Sequence, residues 1–203
     1  MGLCVVVGAV GGLVAIALHL SISKTFQAVW ALGGSLGEGN RLWLMPLLPA
    51  LGGLVVGICV TTFAGAASGG GIPKTKAVFC NHVGVCKFSY IVYRFIFSTI
   101  FCGFGNSSGR EGPTVHLCAA SASVLAQKFG FARRDVQASV PVGVAAGISA
   151  SFNAPLSAIT FVFEEFLGGF KSSSRAMGGI VLAVLVAATL SRVILGENPV
   201  LPV

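Results

Sequence analysis

Apolar residues in this chain run on without alternation. Met1–Leu18, Leu42–Pro73, Phe95–Gly109, Val136–Phe163 and Ala176–Ser191 contain no Asp, Glu, Lys or Arg. A helix that crosses a bilayer needs roughly 20 predominantly apolar residues. A membrane strand would show period-two alternation, which these runs lack. The pattern predicts spanning helices over Gly2–Ala31, Leu42–Phe63 and Ala176–Leu195, the first long enough to tilt. Between them the apolar runs are shorter. Helices are predicted over Ile72–Cys80, Lys87–Gly103 and Pro113–Gln127, with two more flanking a break at Ser151–Pro155. Gly8/Gly12 and Gly53/Gly57 stand four apart, a spacing that lets helix backbones approach closely.

Composition agrees with a helical membrane protein surrounded by a lipid bilayer. The chain is 55% hydrophobic and only 9% charged, whereas soluble domains carry about 25% charged residues. The first apolar run has no positive n-region, so we read it as a retained helix and not as a signal peptide. A net charge of +7 would suggest nucleic acid in a soluble domain. Here Lys74, Lys76, Lys87, Lys128, Arg133, Arg134, Lys171 and Arg175 are expected in loops. They read as membrane-flanking anchors, compatible with a positive vestibule that attracts anions, and nucleic acid is not an expected partner. The six cysteines fall mostly inside apolar runs, where Cys behaves as a small hydrophobe. Cys80-Asn81-His82 with Cys86 matches no common zinc spacing and lacks a fourth ligand. We expect no metal site, no cofactor and no catalytic residue, hence not an enzyme. His19, His82 and His116 show no ligand spacing and read as interfacial or packed side chains. No linker or internal repeat divides the chain, and residues 1–203 read as a single transmembrane domain.

Three breaks carry the chemistry. Ser68-Gly69-Gly70-Gly71-Ile72-Pro73, Gly105 to Pro113 and Ser151 to Pro155 each end in a proline expected to open a helix. Each helix N-terminus exposes free N–H groups and about +0.5 of partial charge. Several converging inside a membrane would bind an anion without a full positive charge, which suits permeation. Glu111 lies in the second break beside Arg110. A carboxylate at membrane depth is functional by default. It is either a gate that occupies the anion path until protonated, or half of a structural pair with Arg110. Glu164 and Glu165 end an apolar run, and adjacent residues on a helix point about 100° apart. One is expected at a solvated helix end and the other to take up protons.

At these residues the chain resembles the CLC family of chloride channels and proton/chloride antiporters. Gly69-Gly70-Gly71-Ile72-Pro73 is similar to the family's GSGIP, and Gly109-Arg110-Glu111-Gly112-Pro113 matches GREGP. Phe152-Asn153-Ala154-Pro155-Leu156, followed by Phe161-Val162-Phe163-Glu164-Glu165, resembles the third stretch with its paired acids. The resemblance implies an all-α bundle of tilted and broken helices, the first of two inverted repeats and the N-terminal half of a transporter core. It implies anion binding at Gly69, Gly70, Gly71, Ile72, Arg110 and Gly112, gating by Glu111 and proton transfer by Glu165. It also implies a homodimer whose contact involves Pro155–Glu164 and Ala176–Leu195, and a cytoplasmic loop at Gly168–Arg175. Chloride or a related anion would be the transported ligand, exchanged for protons, because family channels usually lack an acid at Glu165. A passive channel, and a non-transporting half that needs a partner chain, are the alternatives. Gly70 stands where the family has an anion-contacting serine, which leaves the preferred anion open. The family's second half, with its GxFxP motif and pore tyrosine, is not in this sequence, so the chain reads as a half or fragment.

Overall fold

A computed structural model describes residues 1–34, 41–63, 71–81, 84–167 and 174–196. Among them the elements are helical: α1 (Gly2–Gly34), α2 (Arg41–Phe63), α3 (Gly71–Asn81), α4 (Phe88–Gly103), α5 (Glu111–Lys128), α6 (Arg133–Phe152), α7 (Pro155–Val162), a π-helical turn (Phe163–Leu167) and α8 (Ser174–Leu195). Three helices are long and apolar enough to cross a membrane, with spans at Gly2–Leu32, Met45–Thr62 and Met177–Leu195. The predicted elements are present at nearly the predicted bounds.

Two expectations are corrected. Only Pro155 opens its helix; α3 and α5 begin at Gly71 and Glu111, two residues ahead of Pro73 and Pro113. The whole first turn has unpaired N–H groups, so proline fits at its third position as well as its first. Arg133 and Arg134 open α6 and so are helical and not in a loop, and Lys74 and Lys76 lie within α3, where the helix predicted over Ile72–Cys80 and not the loop reading placed them.

The core joins α1, α5, α6, α7 and α8 through small residues: Ala119, Ala122, Ala145, Ala146, Ala158, Ala183 and Ala187 are all buried. Close approach follows from that composition, as expected where packing rather than water expulsion holds membrane helices together. Gly8 shows the limit. A Cβ there would lie 2.7 Å from the Cα and carbonyl oxygen of Ala183 on α8. By contrast, Gly57 on α2 has nothing within 4 Å of the same position. The second glycine pair thus contributes no such contact at Gly57, and the apolar α2 side chains Leu47, Leu51, Leu54 and Ile58 remain exposed.

The polypeptide turns sharply between α6 and α7 at one residue. Asn153 takes a left-handed conformation (φ 51°, ψ 33°), which Asn tolerates better than most side chains. Its Oδ1 also accepts a 2.9 Å hydrogen bond from Arg192 Nε on α8. Asn153→Ala loses both advantages and Asn153→Gly only the second. We expect Asn153→Ala to destabilise the fold by about 1–2 kcal/mol more than Asn153→Gly, read as unfolding free energies in bicelles. Equal costs would remove the backbone from the explanation.

Candidate anion and proton site

The N-termini of α3 and α5 meet backbone to backbone. A Cβ added at Gly71 would collide with the backbone of Gly112, and a Cβ at Gly112 would lie 3.6 Å from the Cα and N of Gly71. Glycine at position 71 is therefore required by space, not by dihedral freedom. Each helix is closed locally by a threonine. Thr75 Oγ1 donates to the Gly71 carbonyl at 2.6 Å, and Thr114 Oγ1 donates to the Arg110 carbonyl at 2.6 Å. These bonds hold the carbonyls back along each helix and leave the first-turn N–H groups facing outward. Thr75 Oγ1 also lies 2.5 Å from His116 Nδ1. With its own proton on Gly71, the hydroxyl accepts here, so His116 carries its proton on Nδ1. His116 is buried and sits edge-on to Tyr90, with ring centroids 5.1 Å apart. It is the packed histidine that the sequence suggested.

The structure brings together two of the three breaks. Gly71, Ile72 and Gly112 lie at the junction. Gly69 and Gly70 fall outside the described residues. The third N-terminus, at Pro155, belongs to α7, which packs on α6, the π-helical turn and α8. Glu111 occupies the first turn of α5 and is exposed. A carboxylate there is favoured by the helix dipole, as an anion would be. Arg110 does not pair with it. Its Nη1 donates to His19 Nδ1 on α1 at 3.0 Å, so among the described residues a structural Glu111–Arg110 ion pair is not formed.

Glu165 lies in the π-helical turn, a geometry frequent at functional sites. Its Oε1 accepts a 2.9 Å ion-pair bond from Lys76 Nζ of α3, while Glu164 is exposed. The two acids thus differ in environment. Beside the ion pair, Phe79 of α3 meets Phe166 edge-on at 6.0 Å. The far half of α3 is therefore fastened to the Glu165 turn, and its first residue to α5. Sequence reasoning missed Lys76 and His19. Their partners are 89 and 91 residues away, and no local pattern signals such pairs.

Helices that break inside an apolar bundle, with two N-termini meeting at a glycine junction, define a helical membrane protein. The profile of the voltage gated chloride channel family matches residues 52–203, and the chain belongs to that family. It is 33% identical over 202 residues to the H(+)/Cl(-) exchange transporter ClcA of Vibrio campbellii, covering 97% of this chain and 42% of that protein. The ClcA of Salmonella arizonae is 30% identical over 201 residues, with 98% and 42% covered. Among solved structures, a slow cyanobacterial Cl-/H+ antiporter superposes with a TM-score of 0.84 at 22% identity, over 98% of this chain and 47% of that one. A CLC-type fluoride/proton antiporter gives 0.76 at 23% identity, over 97% and 47%. The fold is thus that of these CLC structures over about half their length, and the chain is an integral membrane protein. It spans less than half the length of these relatives.

The junction predicts an asymmetry between its two glycines. Gly71→Ala must push α3 off α5 and should cost about 1–3 kcal/mol. Gly112→Ala makes only ordinary contact and should cost less than about 1 kcal/mol, helped by alanine's better helix propensity. Unfolding free energies in bicelles decide this, and a reversed order would show that the helices do not meet here.

Proposed function

We propose that the complete protein exchanges protons for chloride or a related anion, and that this chain supplies one wall of the anion path together with both proton-handling glutamates. The observation that carries the reading is the meeting of the α3 and α5 N-termini at Gly71 and Gly112, with Glu111 in the first α5 turn. Main-chain N–H groups at two helix ends offer an anion partial charge without a trapping ion pair. Gly69, Gly70, Ile72 and the Arg110 main chain would complete this wall. Glu111 is the gate: ionised, its carboxylate takes the place of the anion, and protonated, it leaves. Glu165 is the proton-transfer residue, supported by its ion pair with Lys76 and its place in the π-helical turn. The names of the relatives, chloride/proton and fluoride/proton exchangers, favour exchange over a passive channel. Either anion suits a site made of backbone, so the choice of anion rests on permeability ratios. A homodimer is part of the proposal. Leu156 on α7 and Leu185, Val193 and Ile194 on α8 are large apolar residues left exposed, at the surfaces where a second subunit is expected.

Paired proton and anion fluxes in liposomes test this in the transporter that contains the segment. Glu111→Gln should give faster anion flow that no longer follows external pH. Glu165→Gln should abolish proton movement driven by an anion gradient while anion flow persists, and Glu164→Gln should do neither. Coupling that survives Glu165→Gln would refute the assignment. Lys76→Met should lower the proton-to-anion ratio, and Lys76→Arg should keep it. Because a half-exposed ion pair contributes only about 0–1 kcal/mol to stability, Lys76→Met should leave folding nearly unchanged.

A further inference from the structure

Away from the α3–α5 junction, a cavity of about 190 Å³ opens between α1, α5, α6 and α8. His19, Arg110, Thr114, Ser151, Asn153 and Ser191 supply its polar lining. Among the described residues, no carboxylate lines it. Arg192 adds a second guanidinium at its edge through the 2.9 Å bond to Asn153 Oδ1. That bond uses the Asn153 oxygen and not its amide N–H groups.

The 3.0 Å bond from Arg110 to His19 sets a condition. An imidazole nitrogen accepts only while unprotonated, so the bond exists only with neutral His19, its proton on Nε2. Protonation would turn the acceptor into a donor and place two cations at hydrogen-bond distance. Among the described residues, the groups around them give no relief. On α1 the nearest charge in sequence is Lys24. On α4, Cys102 lies within electrostatic reach of Arg110. The described α2 side chains include Cys59 as their only ionisable group. The α6 residues lining the cavity are uncharged, and α8 brings Arg192. Glu111, next to Arg110, projects from the first α5 turn, where it is exposed. A like-charge pair beside a polar-lined cavity is stabilised by an anion entering between them.

We propose that this cavity is a second, proton-linked anion site: a small monovalent anion binds between Arg110 and protonated His19, and neutral His19 closes the site by taking the guanidinium. Proton and anion binding then reinforce each other by the same factor. The proposal stands on the His19–Arg110 geometry and does not require transport through the α3–α5 junction. It places a cation whose position changes with pH one residue from the proposed gate, Glu111.

The test reports on His19 itself. The 203-residue chain, labelled with ¹⁵N-histidine in lipid nanodiscs, is titrated by NMR in chloride and in gluconate at equal ionic strength. At alkaline pH, His19 should be the Nε2–H tautomer, and His116 the opposite one. The pH at which His19 protonates should rise with chloride by up to about one unit per tenfold concentration, the limit for one anion per proton. Arg110→Gln, which keeps a donor to His19 without its charge, should abolish the chloride dependence while leaving the His116 signal in place. In a second sample labelled with ¹⁵N-asparagine, His19→Gln should remove the pH dependence of chloride-induced shifts at the Asn153 amide. A His19 titration indifferent to chloride, or a His19 proton on Nδ1 at alkaline pH, would overturn the proposal. Either result leaves the flux experiments on Glu111 and Glu165 unaffected, so the two readings fail separately.

Discussion

Two helix N-termini of like partial charge are pressed together at Gly71 and Gly112, and much of the bundle serves to keep them there. Each end carries about +0.5 of charge. Inside a low-dielectric bundle such ends repel, so the contact must be held by packing. Neither residue has a side chain to keep the backbones apart. α5 is buried along most of its length, from Thr114 to Ser123, against α6, α1, α3 and α4. α3 is less enclosed. It is held by the Thr75–His116 and Lys76–Glu165 contacts near its middle and by Phe79–Phe166 toward its C-terminal end. The repulsion that costs stability at the junction is also what makes it attractive to an anion, or to the Glu111 carboxylate.

The helices were legible because membrane sequences are punctuated plainly. Continuous apolar runs marked the spans, and Gly–Pro clusters marked the breaks, so bounds agreed to within a few residues. Arg110 and Glu111 were adjacent in sequence, which suggested a pair, yet the guanidinium turns to α1 and the carboxylate stays at the head of α5. Adjacent side chains on a helix diverge by about 100°, and the partner is chosen by which neighbouring helix packs there. The helix predicted over Ile72–Cys80 already contained Lys76, but nothing local signalled its partner Glu165, 89 residues away. The three breaks looked equivalent in the chain. Topology joins two of them and gives the third, at Asn153, to the turn between α6 and α7.

The relatives limit what the fold can decide. Structures of a chloride/proton and a fluoride/proton antiporter both superpose on this chain, at 22% and 23% identity. One backbone architecture therefore accompanies two anions that differ greatly in hydration, so selectivity must reside in the few groups lining the path. Under the proposed reading, those groups here are mostly main chain at Gly71 and Gly112. A main-chain donor set discriminates anions weakly, because N–H dipoles serve any of them. Discrimination has to come from side chains added to that set, and Thr75 and Thr114 have their hydroxyl protons directed to backbone carbonyls.

α3 gives the arrangement its mechanical logic. An 11-residue helix is about 16 Å long, and this one runs from the glycine junction to the turn that carries Glu165. Under the proposed reading, one end of a short rod touches the anion and its middle residue, Lys76, holds the proton-transfer acid. Protonating Glu165 would dissolve this ion pair, while Phe79 stays tied to Phe166 through its ring and to Gln137 of α6 through its carbonyl. Filling or emptying the junction would change the load on the Lys76–Glu165 contact. A rigid element fastened at separate points by separable contacts is a physical route by which proton and anion occupancy can influence each other without sharing a path. The weakness of the half-exposed Lys76–Glu165 bond is then useful, since a tie that must open in every cycle cannot be strong.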